Sequence, residues 1–368
     1  MPVRSSLAVL TIALGYSSAL AQDASIDQLL KKLPPPEKLV KPPVQQALQQ
    51  NDPALKDPLG KQIVASEQRG NFSEALNLSR KLTERYPRSI GAQALRGALA
   101  WRLRQFVEAS SAFRTAVAIQ PKLGLPHYGL ALVEGAQGHF AAAMPHLQRL
   151  AELEPKSPLP YYALADCALR IGHKQEGRDF AEKATAVAPS NANVWLQLAR
   201  AEKELGHTDA TFHALKKGAE VAPDSAALLA LVGYSYINLN RIPDAIPTLA
   251  RSVQLQPKNY LAQSQLGYCL MTTGQLDVAI DHLRKGASLN SSYGPVWDHL
   301  GLAQEKKGNH REAVKAFERA TRLMPDSPFP WRHLATEYRL LGRANDAQRA
   351  AAHAGAGTTT SRRQQKKS

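Results

Sequence analysis

Cysteine is almost missing from this chain: Cys167 and Cys269 are the two in 368 residues, too few for a disulfide framework. The short motifs that mark common chemistries are missing too. No CxxC pair, HExxH helix, GxSxG elbow or GxxxxGK[ST] loop occurs, so zinc, nucleophilic-hydrolase and phosphate-cradling sites lose their usual signatures. Carboxylates such as Asp166, Asp298 and Glu305 stand apart, without a nucleophile or partner that would divide acid and base roles between them. The expectation is a non-enzymatic chain with no cofactor, no metal and no catalytic residue. Acidic residues are scarce as well: 31 Asp and Glu against 46 Lys and Arg leave a formal charge of +15. A basic surface attracts acidic proteins, anionic lipid or nucleic acid. Nucleic acid is the least favoured of these, because no recognised binding module is present.

In place of motifs the chain has a period. Pro87, Pro121, Pro155, Pro189, Pro223 and Pro257 recur every 34 residues; Ser291 takes the next place and Pro325 the one after. Making this proline position 32 of each unit starts the second unit at Ile90 and the ninth at Pro328. Position 7 then reads Arg96, Leu130, Leu164, Leu198, Val232, Leu266, Leu300 and Leu334, and position 8 reads Gly97, Ala131, Ala165, Ala199, Gly233, Gly267, Gly301 and Ala335. Position 20 is small throughout, while position 24 is mostly large, as in Phe113, Leu147, Leu215, Leu249, Leu283 and Phe317. These spacings lay the apolar side chains along one stripe of each of two helices per unit. Gly70, Gly138, Gly172, Gly206, Gly274, Gly308 and Gly342 share position 15, where the first helix must end in a left-handed residue. Arg104 and Asn240 are the departures there. The position 32 proline stops the second helix by forcing the residue before it out of helical geometry. Pro158 and Pro328, at position 1, suit a first helical turn.

A helix, turn, helix unit of this length resembles the tetratricopeptide repeat. The resemblance covers residues 56–355 and implies an all-α fold, a right-handed α-solenoid of about nine helix-turn-helix units that bury their apolar faces by stacking. The first unit, through Gly70, Ala75 and Pro87, is degenerate, and the last lacks its terminal proline. Both cysteines fall at position 10, three units apart. With helices packed roughly 8 to 10 Å apart their separation is on the order of 30 Å, so they read as buried thiols beyond disulfide reach. His139, His173 and His207 share position 16. A metal needs its ligands within about 2.1 Å of one centre, so these three read as turn residues.

The flanks differ in composition. Residues 1–21 carry Arg4, an apolar stretch from Leu7 to Leu14, and Ala19 and Ala21 at cleavage spacing, the pattern of a signal peptide cut before Gln22. The apolar stretch is too short to remain as a membrane span. The mature chain is therefore expected to be exported, periplasmic or secreted, without a transmembrane segment. Residues 22–55 form a proline-rich linker, in which Pro34, Pro35, Pro36, Pro42, Pro43, Pro53 and, just beyond, Pro58 interrupt every helix that could start. Ser25 and Gln28 resemble a capping box for one short helix. Residues 356–368 read as a disordered basic tail ending in Arg362, Arg363, Lys366 and Lys367. The last helix, Arg343 to Ala354, is polar enough to cap the array.

In the resembled family the first helices line a concave face, with positions 2, 5, 9, 12 and 13 pointing into it. Those places hold Trp101, Arg102, Tyr128, Tyr162, Arg170, Arg200, Tyr234, Asn238 and Tyr268, side chains of the kind that dominate protein interfaces. They are the expected partner-binding groove. Some members hold a chaperone's C-terminal carboxylate with Lys at position 5 and Asn at position 9; here Ala94 and Ala98, Tyr128 and Leu132, Tyr162 and Asp166 stand there, so that clamp is absent. The expected function is a protein-interaction scaffold of the cell envelope that holds a protein or peptide partner. Two alternatives stand beside it: a basic protein anchored to anionic lipid or polysaccharide with weak surface contacts, or an accessory subunit of a secretion, pilus or cell-wall machine.

Overall fold

The computed structural model describes residues 52–365, and every regular element among them is an α-helix. A short helix, α1 (Pro53–Lys56), precedes nine helix pairs. The first four are α2 (Pro58–Gln68) with α3 (Phe72–Arg85), α4 (Ile90–Arg102) with α5 (Phe106–Ile119), α6 (Gly124–Ala136) with α7 (Phe140–Leu153), and α8 (Pro158–Arg170) with α9 (Lys174–Val187). Then come α10 (Ala192–Glu204) with α11 (Thr208–Val221), α12 (Ala226–Asn238) with α13 (Ile242–Leu255), and α14 (Tyr260–Thr272) with α15 (Leu276–Leu289). The last two are α16 (Gly294–Lys306) with α17 (His310–Leu323) and α18 (Pro328–Leu340) with α19 (Ala344–Gln365). The described residues divide into two compact units, 52–221 and 222–365. Each is a run of stacked helix pairs, and the repeat architecture read from the sequence holds in both.

Backbone chemistry explains why the pattern repeats. The position 15 glycines take φ between 71° and 85°, and Arg104 and Asn240 adopt the same left-handed region at 58° and 55°. The next residue's N–H then reaches back five residues, as in His139 to Glu134 O at 2.9 Å and Asn309 to Gln304 O at 2.8 Å, which caps the first helix with a Schellman bond. At the other end, the residue before the repeat proline leaves the helix: Gln120 has φ −140° and ψ 89°, and Gln256 φ −135° and ψ 80°. Asn290 does the same at φ −143° and ψ 91° with Ser291 following it. The bend therefore survives where the proline is skipped, so packing as well as proline sterics sets it.

In six of the nine pairs a tiny residue at position 8 is matched by a large one at position 24. A Cβ placed on Gly97 would come within 2.8 Å of the Phe113 ring, and one on Gly301 within 2.4 Å of Phe317. No such contact survives in a real structure, so glycine is what lets those rings seat. At position 24, Leu147, Leu215, Leu249, Leu283 and Phe317 are all fully buried. Each such leucine is worth about 1.5–3 kcal/mol of apolar burial. Arg96, the polar residue in the position 7 series, is held by Glu108 at 2.7 Å. Arg80 binds the same carboxylate at 2.5 Å, and together the two guanidiniums hold it down to about 2.

Two expectations about the flanks need correction. Pro53 and Pro58 do not interrupt helices; they open α1 and α2, with Asp52 and Asp57 as side-chain caps on Ala54 N and Leu59 N at 3.1 and 2.8 Å. Proline has no N–H to lose at a first turn, and an aspartate before it supplies the cap. At the other end α19 runs on to Gln365, through most of the stretch expected to be disordered. Extending a helix already packed on α18 adds one hydrogen bond per residue fixed, and Arg362, Arg363, Gln364 and Gln365 are good helix formers. Of α19's first dozen residues only Ala347, Ala350 and Ala354 are buried, a narrow stripe with polar side chains around it. The expected signal peptide and residues 22–51 of the linker lie outside the described residues.

Candidate partner-binding surfaces on the first helices

The expected groove residues separate into three groups. Tyr128 and Tyr162 are buried, at 4% and 2% exposure, and are corrected here from groove surface to core. Tyr128 packs with Leu147, Leu164 and Cys167, and Tyr162 with Ala184 and Val194. Val194 belongs to the next first helix, so the ring at position 5 is covered by the neighbouring unit. Trp101, Arg102, Tyr234 and Tyr268 are half-buried. The Trp101 indole donates to Leu132 O at 3.1 Å, Arg102 lies 3.7 Å over the Phe72 ring, and Tyr268 stacks on His299 at 4.8 Å. Arg170 and Asn238 are exposed.

Arg200 joins the first unit's polar cluster. Asp166 accepts from Arg170 Nε at 2.7 Å and from Arg200 Nη1 at 2.6 Å, so one carboxylate bridges α8 and α10 across neighbouring units. Arg170 also lies 5.0 Å from the Phe140 ring. At the end of α2, burial pushes the Glu67 carboxyl up to about 7, against the pull of Arg102. The three turn histidines each pair with their own glutamate: His139 with Glu134 at 3.1 Å, His173 with Glu176 at 3.2 Å and His207 with Glu202 at 2.7 Å. Both cysteines are buried free thiols, raised to about 12 by burial.

One set of functional backbone contacts was not read from the sequence. Position 4 of the first helices carries Gln93, His127, Tyr161, Trp195, Gln263, Trp297 and Trp331. Each reaches the carbonyl of residue 32 of the preceding unit, from Trp195 to Pro189 O at 2.8 Å to Tyr161 to Pro155 O at 3.4 Å. The side chains share a polar tip and little else, so no residue identity recurs to reveal them. Leu229 stands at that position in α12 and has no donor to offer.

In the second unit, the exposed residues of α18 are Phe329, Arg332, Thr336, Arg339 and Leu340. They occupy positions 2, 5, 9, 12 and 13 of the ninth unit. Arg332, Thr336 and Arg339 line a cavity of about 400 Å³ together with Ala335, Ala351, Ala354 and Gly355. Among the described residues no helix is long and apolar enough to cross a membrane.

Models of the tetratricopeptide repeat match the chain over residues 136–201, 233–292 and 294–327. No curated protein matches it. Among solved structures, MamA from Desulfovibrio magneticus RS-1, from residue 41 to its end, is 20% identical, covering 47% of this chain and 96% of its own, with a TM-score of 0.40. PilW, a type IV pilus biogenesis factor, is 20% identical over 54% of this chain and 92% of its own, with a TM-score of 0.47. YrrB, a TPR protein with an unusual peptide-binding site, is 19% identical over 60% of this chain and 97% of its own, with a TM-score of 0.35. The repeat matches fall on helix pairs that keep the 34-residue register in both units, and the chain belongs to the tetratricopeptide repeat family.

Proposed function

We propose that this protein is a non-enzymatic interaction scaffold of the cell envelope, holding a segment of a partner protein against its first helices. The observation that carries the reading is the cluster on α8 and α10. Arg170 and Arg200 converge on Asp166 at groove positions of successive units, with Trp101 half-exposed on α4. Guanidinium and indole groups on a rigid helical face are the chemistry of interface hot spots. Envelope location rests on residues 1–21, whose removal would leave Gln22 as the first residue, and mass spectrometry of the protein from its native host checks that.

The binding test is affinity capture from the native host with the full chain and with Trp101→Ala/Arg170→Ala, each eluted across a salt series. Selective loss of partners from the variant, with its helical content retained at the capture temperature, supports the scaffold. Capture that is indifferent to the variant and collapses as salt rises would favour charge-led anchoring to an anionic surface, since exposed charges are screened beyond about 10 Å at 0.1 M salt.

A further inference from the structure

On the exposed face of α18, cations at groove positions combine with a cavity. Arg332 and Arg339 both line it, and neither has a carboxylate partner among the described residues. Four of the acids nearby are already engaged, and burial raises the half-buried Glu305 carboxyl, which disfavours its charge. Asp298 pairs with His333 at 2.9 Å, Glu337 with His310 at 3.0 Å, Glu318 accepts from the Tyr338 hydroxyl at 2.7 Å, and Asp346 binds Arg343 at 2.6 Å. Two guanidiniums on one helix face with no internal acid leave charge for an outside ligand to neutralise. Phe329 and Leu340 flank them, each 60% exposed, so apolar side chains bracket the charged pair. On the opposite side the described lining residues, Ala351, Ala354 and Gly355 of α19, are small.

We propose that this cavity binds an acidic segment of a partner protein, in polyproline II conformation, through two carboxylates three residues apart. The spacing follows from geometry. Arg332 and Arg339 are two helical turns apart, about 10.5 Å along the axis at 1.5 Å per residue. Three residues of a polyproline II chain make one turn and rise about 9 Å, so side chains three apart share a face. Each carboxylate then meets one guanidinium in a charge-assisted, potentially bidentate hydrogen bond. Apolar side chains outside the acidic pair pack on Phe329 and Leu340, and Thr336 between the arginines, whose hydroxyl donates to Arg332 O at 3.1 Å, accepts from a peptide N–H. A recessed face with two discrete cations and a fixed spacing suits a peptide better than a lipid surface, which needs a broad basic field. This assignment deepens the scaffold reading and rests on it.

The test uses the full chain and a fluorescent synthetic peptide with two glutamates three residues apart, bracketed by leucines. Fluorescence anisotropy should show saturable binding that Arg332→Ala/Arg339→Ala weakens at least about tenfold while the melting curve stays in place. Moving the glutamates next to each other, or replacing both with glutamine, should weaken binding to a similar extent. Equal affinity of the double variant and the native chain overturns the proposal. So does the absence of peptide binding when vesicles of phosphatidylcholine with phosphatidylglycerol do bind in an arginine-dependent way. If the double variant binds the peptide normally while Trp101→Ala/Arg170→Ala still loses its cellular partners, the cavity assignment fails and the scaffold reading stands.

Discussion

Helices α8 and α18 occupy the same place in their repeats, yet they present opposite surfaces. Position 2 is Leu159 at 3% exposure in α8 and Phe329 at 60% in α18; position 5 is Tyr162 at 2% in one and the exposed Arg332 in the other. Both helices follow the same backbone rules, so register cannot account for the difference. What differs is the next unit. Beside α8 lies α10, whose Val194 packs on Tyr162, whereas among the described residues α18 has its own second helix, α19, after it and no further first helix. Repeat position fixes the direction in which a side chain leaves the helix, and the neighbouring unit decides whether that side chain becomes core or surface.

The sharpest way to break this comparison is to truncate position 5 in both helices. Tyr162→Ala should cost about 3–5 kcal/mol, similar to or above Leu164→Ala at about 2–5 kcal/mol, because both leave a cavity in packed surroundings. Arg332→Ala should stay within about 0.5 kcal/mol. Urea melts of the three variants decide it. A Tyr162→Ala protein as stable as Arg332→Ala would mean that α10 does not cover the ring, and that position 5 of α8 is groove after all.

Position 12 offers a second contrast, between the half-buried Glu67 of α2 and the exposed Arg339 of α18. Burial raises Glu67 to about 7 from a usual value near 4.5, with Arg102 pulling the other way. A folded pKa above the unfolded one means this group favours the fold fully below about pH 4.5. That contribution disappears as pH rises through about 7, where a charge must be buried. Glu67→Gln removes the charge and should therefore gain on the order of 1–2 kcal/mol over the native chain at pH 8. At pH 4 the two should be alike. Arg339→Gln, with nothing buried to relieve, should show no such pH-dependent gain. Melts at the two pH values check both, and a pH-independent difference for Glu67→Gln would remove burial of the carboxylate as its cause.

The comparison also marks how far the sequence could be read. The period, the position 8 and 24 pairs and the position 15 turns were legible because they depend on backbone geometry and on size within a single unit. The fate of Tyr128 and Tyr162 was not, since it depends on atoms of the next unit that no single-unit pattern contains. Pro53 and Pro58 were misjudged because proline breaks a helix interior and begins a helix equally well; the deciding signal, Asp52 and Asp57 immediately before them, was present. That Arg332 and Arg339 have no carboxylate partner among the described residues was hidden for another reason. It emerges only once Asp298, Glu318, Glu337 and Asp346 are seen to be spoken for elsewhere.

The position 4 contacts sharpen the contrast between units by a smaller amount. Trp195→Phe keeps the ring and removes the bond to Pro189 O at 2.8 Å, which should cost about 1 kcal/mol. In α12, Leu229→Gln supplies the missing donor for the Pro223 carbonyl and should gain about 0.5 kcal/mol, the lower end of a net hydrogen bond. Hydrogen exchange across residues 222–238 provides a local readout. Slower exchange there in Leu229→Gln would show the contact has formed, and unchanged exchange would restrict its role to units that already have it.

The smallest expected effect concerns the two turns that lack glycine, one in each unit. Arg104 and Asn240 hold φ at 58° and 55°, a region that costs an ordinary side chain about 1–2 kcal/mol and asparagine less, because its short amide can bond locally. Glycine enters that region freely, but it also gives the unfolded chain more freedom to lose, worth about 0.4–1 kcal/mol in the opposite direction. Arg104→Gly should therefore gain about 0.5–1 kcal/mol, and Asn240→Gly no more than a few tenths. The order matters more than either size, because both turns make the same Schellman bond, Gln105 N to Ala100 O and Arg241 N to Tyr236 O, each at 2.8 Å. If chemical denaturation shows the two substitutions to be equal, side-chain strain is not what separates these turns. The interactions of the side chains would then set the balance: Arg104 lies 5.9 Å over the Phe106 ring, a contact that glycine would forfeit.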